Sequence, residues 1–96
     1  MIYRLILKEE AKQDINNAYL WYEEKLEGLG ERFVNELDSY FKHIEKAPKS
    51  YQIRYLNFRA AALKIFPYLI VYQIEENSVI VFAVFATKQN PKKMPR

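Results

Sequence analysis

The sequence predicts an α+β domain in which an N-terminal strand and a helical hairpin pack on one face of a four-stranded, mainly antiparallel sheet. Three observations predict it. From Arg59 to Ala86, three apolar runs (RAAALKI, YLIVYQIE and SVIVFAVFA) are separated only by Phe66-Pro67 and by Glu76-Asn77. Pro presets its own φ, Asn tolerates a positive one, and the flanking residues are β-branched or aromatic, which is the pattern of an antiparallel meander. Upstream, apolar residues recur at steps of three and four from Ala11 to Ile44, interrupted only around Gly28 and Gly30, which is the pattern of two amphipathic helices. Finally, both faces of the predicted meander are apolar, so each needs a cover, and the helical hairpin supplies one.

In chain order, Ile2 to Leu7 alternates weakly and reads as the first strand. Helix one carries the stripe Ala11, Ile15, Ala18, Tyr22 and Leu26, flanked by Tyr19 and Trp21. Gly28 can take the left-handed cap that ends it, and Glu31 begins helix two with its charge near the positive end of the dipole. Helix two carries Phe33, Leu37, Tyr40, Phe41 and Ile44. It ends at Ala47-Pro48, because a residue before proline is pushed out of the α region. Tyr51 to Phe58 reads as an irregular edge strand or a loop.

If Phe66-Pro67 are the whole of the first hairpin loop, Leu63 faces Ile70 and Ala61 faces Tyr72. The period of two then assigns Leu63, Ile65, Tyr68, Ile70, Tyr72, Ile74, Val79, Val81 and Phe85 to one face. Ala60, Ala62, Lys64, Leu69, Val71, Gln73, Ile80, Phe82, Val84 and Ala86 fall on the other. After Ala86 the chain turns polar and basic, with two prolines, and is expected to form an extended tail from about residue 87 to residue 96. Residues 1–96 are read as a single domain.

The composition limits the chemistry. Without cysteine there are no disulfides, no thiol catalysis and no Cys-ligated zinc. No signal-peptide pattern opens the chain, and no apolar run approaches the roughly 20 residues of a membrane span, so a cytoplasmic protein without membrane contact is expected. The net charge of +3 is unevenly spread: residues 1–50 hold ten acidic and eight basic residues, residues 51–96 two acidic and seven basic. Positive potential therefore belongs to the sheet and tail, the half that would meet an acidic partner, unless it is simply a solvated rim.

No nucleophile or metal set stands out. His43, the single histidine, has no Cys, His or acidic partner at ligand spacing and reads as an exposed helix residue. Ser39, Ser50 and Ser78 lack a base or an elbow motif. Glu23, Glu24 and Glu27 read as a solvated helix face, and no glycine loop follows a strand to cradle phosphate. What remains is a basic set: Arg54, Arg59, Lys64, Lys88, Lys92 and Lys93. Such groups can bind phosphate or an acidic peptide, and of them Arg59, Lys64 and Lys88 are the candidates for catalysis, while Arg54, Arg59, Lys88, Lys92 and Lys93 are the candidates for binding a target or nucleic acid. No cofactor or metal is implied.

The order of these pieces resembles the RelE/ParE superfamily of type II toxin-antitoxin (plasmid stabilisation) modules. The matching residues are Ala11, Asp14, Ile15, Ala18, Trp21, Tyr22 and Glu23, then Gly28-Leu29-Gly30 with Phe33 and Leu37, then Pro48 with Tyr51. They continue through Arg59, Leu63, Phe66-Pro67-Tyr68, Ile70, Tyr72 and Val84 to Pro91. The resemblance implies a helical hairpin laid on a four-stranded sheet. Many members of that superfamily end the last strand with His and place Arg three residues later, where this chain has Ala86 and Gln89. Ribosome-dependent ribonucleases of the RelE kind carry Arg after the hairpin Tyr and Lys on the preceding strand, where this chain has Leu69, Ala60 and Ala62.

These replacements favour the ParE-like branch, whose members are implied to block DNA gyrase by binding and to be neutralised by a cognate antitoxin. The alternatives are a RelE-like ribosome-dependent mRNA endonuclease, a degenerate non-toxic interaction domain, and a basic nucleic-acid-binding domain. Under the favoured reading the antitoxin covers Ala62, Leu69, Val71, Ile80, Phe82 and Val84, the face the helices leave open, and a homodimer is a possible state when the antitoxin is absent.

Overall fold

The structure is a computed structural model that describes residues 2–87. Strand β1 (Arg4–Leu7) leads into helices α1 (Glu9–Lys25) and α2 (Leu29–Lys46), a short 3-10 turn at Pro48–Ser50, and then β2 (Ile53–Tyr55), β3 (Phe58–Ala62), β4 (Tyr68–Glu75) and β5 (Ser78–Ala86). The sheet order is β1-β5-β4-β3-β2. β1 runs parallel to β5, and every other pair is antiparallel. The α+β class and the covering hairpin are as the sequence predicts, but the sheet has five strands rather than four. The added strand is the segment before Phe58, which pairs Ile53 with Arg59 and Tyr55 with Phe58. At three residues it is too short to display a period in sequence.

The helices bury the stripes expected of them: Ala11, Ala18 and Tyr22 from α1, and Phe33, Leu37 and Ile44 from α2. Where the hairpin meets the sheet, Tyr22, Phe33, Phe66 and Tyr68 form an aromatic cluster, with ring centroids 4.9–6.1 Å apart in tilted or edge-on arrangements. Leu26 leaves the stripe because α1 ends at Lys25, and it stands in extended backbone with its side chain exposed. Gly28 does take a left-handed conformation, at φ +87, but it sits at the start of α2, which begins at Leu29 rather than Glu31. Both glycine amides are claimed by one carboxylate from α1: Glu23 accepts from Gly30 N at 2.8 Å and from Gly28 N at 3.3 Å. A carboxylate on the orphan donors at the positive end of a helix is a cap supplied from the neighbouring helix.

Two register features depart from the expected pairing. The first hairpin is longer than read, since Ala61 faces Ile70 and Arg59 faces Tyr72, with residues 63–67 forming the loop. The slip is two residues, so no side chain changes face. The loop is held from outside the sheet by Glu36 of α2, whose carboxylate accepts from the backbone N–H of Lys64, Ile65 and Phe66 at 3.1, 2.8 and 3.1 Å. Three donors on one carboxylate should matter even where water can reach them, and Glu36→Ala is expected to destabilise the fold by about 2 kcal/mol in urea unfolding. Glu36→Gln, which keeps a carbonyl acceptor, should lose less.

The second feature is a bulge in β5. Tyr72 pairs with Val81 but Val71 pairs with Ala83, so Phe82 is an extra residue and every position after it changes face. Val84 thereby joins the helix-side core, and Phe85 moves to the opposite face. The turn at Glu76-Asn77 has the expected length, although the positive φ of +55 falls on Glu76 and not on the asparagine.

Candidate partner-binding face

The face of the sheet turned away from the helices is built by alternate residues of four strands. β3 supplies Phe58, Ala60 and Ala62; β4 supplies Leu69 and Val71; β5 supplies Ile80, Phe82, Ala83 and Phe85; and β1 adds Ile6, which pairs with Ile80. Of the six positions predicted to receive an antitoxin, Leu69, Ile80 and Phe82 are half-buried and Ala62 is exposed. Val71 is on this face but fully buried, in a second small core with Phe58, Ala83 and Phe85 against which Leu69 and Phe82 pack. Val84 is not on this face at all, because the bulge turns it toward the helices, where its backbone N–H donates to Asp14 Oδ2 at 3.0 Å. The structure therefore corrects the expected open face at two of the six positions, Val71 by its burial and Val84 by its side of the sheet.

Phe82 is the centre of the face. Its ring meets Phe58 edge-on with centroids 5.0 Å apart, and Lys8 Nζ lies 4.8 Å from its centroid. An aromatic ring with a cation above it offers apolar area beside a positive charge, a combination suited to an acidic, apolar-anchored segment. Sequence reasoning missed Phe58, Phe85 and Lys8 as members. Phe85 was hidden by the bulge, and Lys8 by its place just beyond a short strand.

The basic candidates do not converge. Arg59 faces Tyr72 on the helix side of β3, half-buried, and its Nη1 donates to the Tyr51 carbonyl at 2.6 Å. Lys64 is exposed in the loop beyond the other end of β3, and Arg54 is exposed on the edge strand β2. Lys88, Lys92 and Lys93 lie outside the described residues. Arg59 is thus tied to the backbone under the edge strand, on the opposite side of the sheet from Phe82. His43 does have a partner the sequence did not reveal: its Nδ1 is 2.9 Å from the Tyr51 hydroxyl, with the two rings edge-on. Among the described residues no group of three or more His, Cys, Asp or Glu could hold a metal ion, and no helix is long and apolar enough to cross a membrane.

At the end of the sheet where β5 meets α1, a cleft of about 370 Å³ is lined by Asp14, Asn17, Ala18, Trp21, Tyr68, Val84, Phe85 and Ala86. Burial, then the charge of Tyr22, a hydrogen bond with it, and the charge of Asp14 push the Tyr68 pKa up from 10.0 to about 12. The folded chain therefore keeps this phenol proton at pH values where the unfolded chain has lost it. The resulting stability is complete below pH 10 and is lost as pH climbs toward about 12. Absorbance at the phenolate band should show Tyr68 titrating late, with the denaturation midpoint falling through the same window; Tyr68→Phe should flatten that fall.

The family model described as "ParE toxin of type II toxin-antitoxin system, parDE" matches residues 5–91. No curated protein matches the sequence. Among solved structures, a chain of the chromosomal ParDE toxin-antitoxin system from P. aeruginosa superposes with a TM-score of 0.80 at 11% identity, over 88% of this chain and 96% of that one. A chain of the intact E. coli RelBE toxin-antitoxin complex superposes with a TM-score of 0.69 at 21% identity, over 91% of this chain and 99% of that one. At such identities the superpositions speak for the fold alone, whereas the family model spans nearly the whole sequence. The chain belongs to the ParE toxin family of type II toxin-antitoxin systems.

Proposed function

We propose that this chain is a toxin that arrests growth by binding its target, DNA gyrase, rather than by cutting RNA, and that a cognate antitoxin neutralises it in the cytoplasm. The family match over residues 5–91 carries the reading. Binding rather than cleavage is supported by the side chains at the sheet: Ala60, Ala62, Leu69 and Ala86 can neither hold a phosphate nor move a proton. Arg59, the candidate most able to stabilise a phosphorane, donates instead to a backbone carbonyl. The antitoxin is assigned to the face centred on Phe82, with an acidic amphipathic segment laid across Leu69, Ile80 and Phe82 and its charge beside Lys8. When the antitoxin is absent, the same face pairs two copies of the chain.

Growth after induction of the chain alone, and after co-expression with the small protein of the neighbouring reading frame, tests this reading. Arrest in the first case and recovery in the second is the expected result. Normal growth in both would leave only a non-toxic interaction domain. The endonuclease alternative predicts message cuts at positions on translating ribosomes, absent in Arg59→Ala, and mapping of message ends after induction separates the two.

A further inference from the structure

A second surface, on the outward side of α1, is independent of the sheet face. Asn17, Leu20, Trp21 and Glu24 follow at i, i+3, i+4 and i+7, so they form one stripe, and it points away from the buried positions Ala11, Ala18 and Tyr22. Within it Leu20 is 51% and Trp21 52% exposed, and Leu26 beyond the helix end is 60% exposed. Tryptophan is highly buried on average, so half of an indole left in water beside a second large apolar side chain asks for an explanation. Trp21 also separates two depressions: the cleft shared with Tyr68 and Phe85, and a shallower one bounded by Asn17, Leu20, Glu23 and Glu24.

Charge says what kind of partner fits. Residues 9–27 carry six carboxylates against two lysines, net −4, in a chain whose total is +3. Glu23 and Asp14 accept from backbone amides, but Glu24 is exposed within the stripe, Glu10 is exposed two turns earlier on the same side of α1, and Glu27 is exposed just beyond the helix end. The ring itself already accepts a cation, since Lys25 Nζ sits 4.8 Å from the Trp21 centroid. Apolar anchors with an acidic rim and a cation-accepting indole are complementary to a segment that is apolar on one side and basic on the other. We propose that the outward face of α1 around Leu20 and Trp21 docks a basic amphipathic helix of a protein partner.

Trp21 is the only tryptophan of the chain, so its emission reports on this surface directly. The probe is an 18-residue amphipathic peptide of leucine and lysine, titrated into the full chain, with a leucine and glutamate peptide of the same pattern as comparison. The lysine peptide should shift Trp21 emission to the blue, saturably, and the glutamate peptide should not. Leu20→Ala and Glu24→Lys should each weaken binding by about fivefold, the effect of losing roughly 1 kcal/mol of apolar contact or charge pairing. Glu76→Lys, a charge reversal on the remote β4–β5 turn, should leave affinity unchanged.

Equal binding of the two peptides, or equal loss in Glu24→Lys and Glu76→Lys, would overturn the proposal, because the attraction would then be general stickiness or net charge. It is also overturned if the occupant belongs to this chain. A concentration-dependent blue shift without peptide would assign the face to a second copy. A red shift in a full-length variant carrying Lys88→Glu, Lys92→Glu and Lys93→Glu would assign it to the chain's own basic segment.

Discussion

Gly30→Ala is expected to cost the fold about 3 kcal/mol or more, a large part of the roughly 5–15 kcal/mol that holds a domain of this size together. A Cβ at Gly30 would lie 2.6 Å from the Tyr19 carbonyl oxygen and 2.8 Å from both Tyr19 Cδ1 and Glu23 Cγ. The nearest of these atoms is backbone, so relief requires the two helices to separate. Separation would also pull Glu23 from the amides it caps. Gly28 gives the contrast: nothing lies within 4 Å of its would-be Cβ, and only the backbone at φ +87 resists a side chain. Gly28→Ala should therefore cost about 1 kcal/mol. Urea midpoints at unchanged slope measure both, and equal costs would mean that the helices are not in the close contact described.

Phe82→Asp is expected to weaken the antitoxin complex at least tenfold while leaving the chain folded. Loss of a Phe-sized anchor removes roughly 2 kcal/mol of apolar burial, and a carboxylate facing an acidic partner adds repulsion. The fold should survive because Phe82 is half-buried, is the extra residue of a bulge, and has Lys8 near enough to pair with the introduced charge. Val84→Asp should behave in the opposite sense. Val84 is 1% exposed within the helix-side core, so a charge there unfolds the chain before it can affect a partner. Titration of folded variants with the antitoxin, with circular dichroism as the fold check, distinguishes the two. Unchanged affinity in a folded Phe82→Asp variant would remove the sheet face from the account.

The helical hairpin was legible because each helix repeats its apolar residues often enough to show a period, Ala11, Ala18 and Tyr22 on one and Phe33, Leu37 and Ile44 on the next. The three long strands were legible as β-branched and aromatic runs bounded by turn residues. Features set by a single residue or by tertiary contact were not legible. The bulge at Phe82 leaves no mark in a run as uniformly apolar as SVIVFAVFA, so strict alternation carried Val84 and Phe85 to the wrong faces. The strand Ile53–Tyr55 is defined by its pairing with β3, not by its own three residues. Glu23 reads as part of a solvated helix face, yet it holds the amides of Gly28 and Gly30 across the helical turn. Glu36 carries no signal in sequence, yet it holds the amides of Lys64, Ile65 and Phe66. For the candidate site, an apolar face turned away from the helices could be anticipated from the excess of apolar residues on both sides of the sheet. The separation of Arg59 from it follows from the alternation that puts Ala60 on the open face and Arg59 beside Tyr72 on the helix side. What no spacing announces is the hydrogen bond from Arg59 to the Tyr51 carbonyl.

Whether this ParE-family chain acts by binding is decided by supercoiling of relaxed plasmid by DNA gyrase in the presence of the purified chain. Supercoiling is expected to be lost as the chain is added and to return when the antitoxin is supplied in excess. Gyrase that supercoils normally at every concentration of the chain, together with ribosome-dependent message cuts that disappear in Arg59→Ala, would contradict that mode of action.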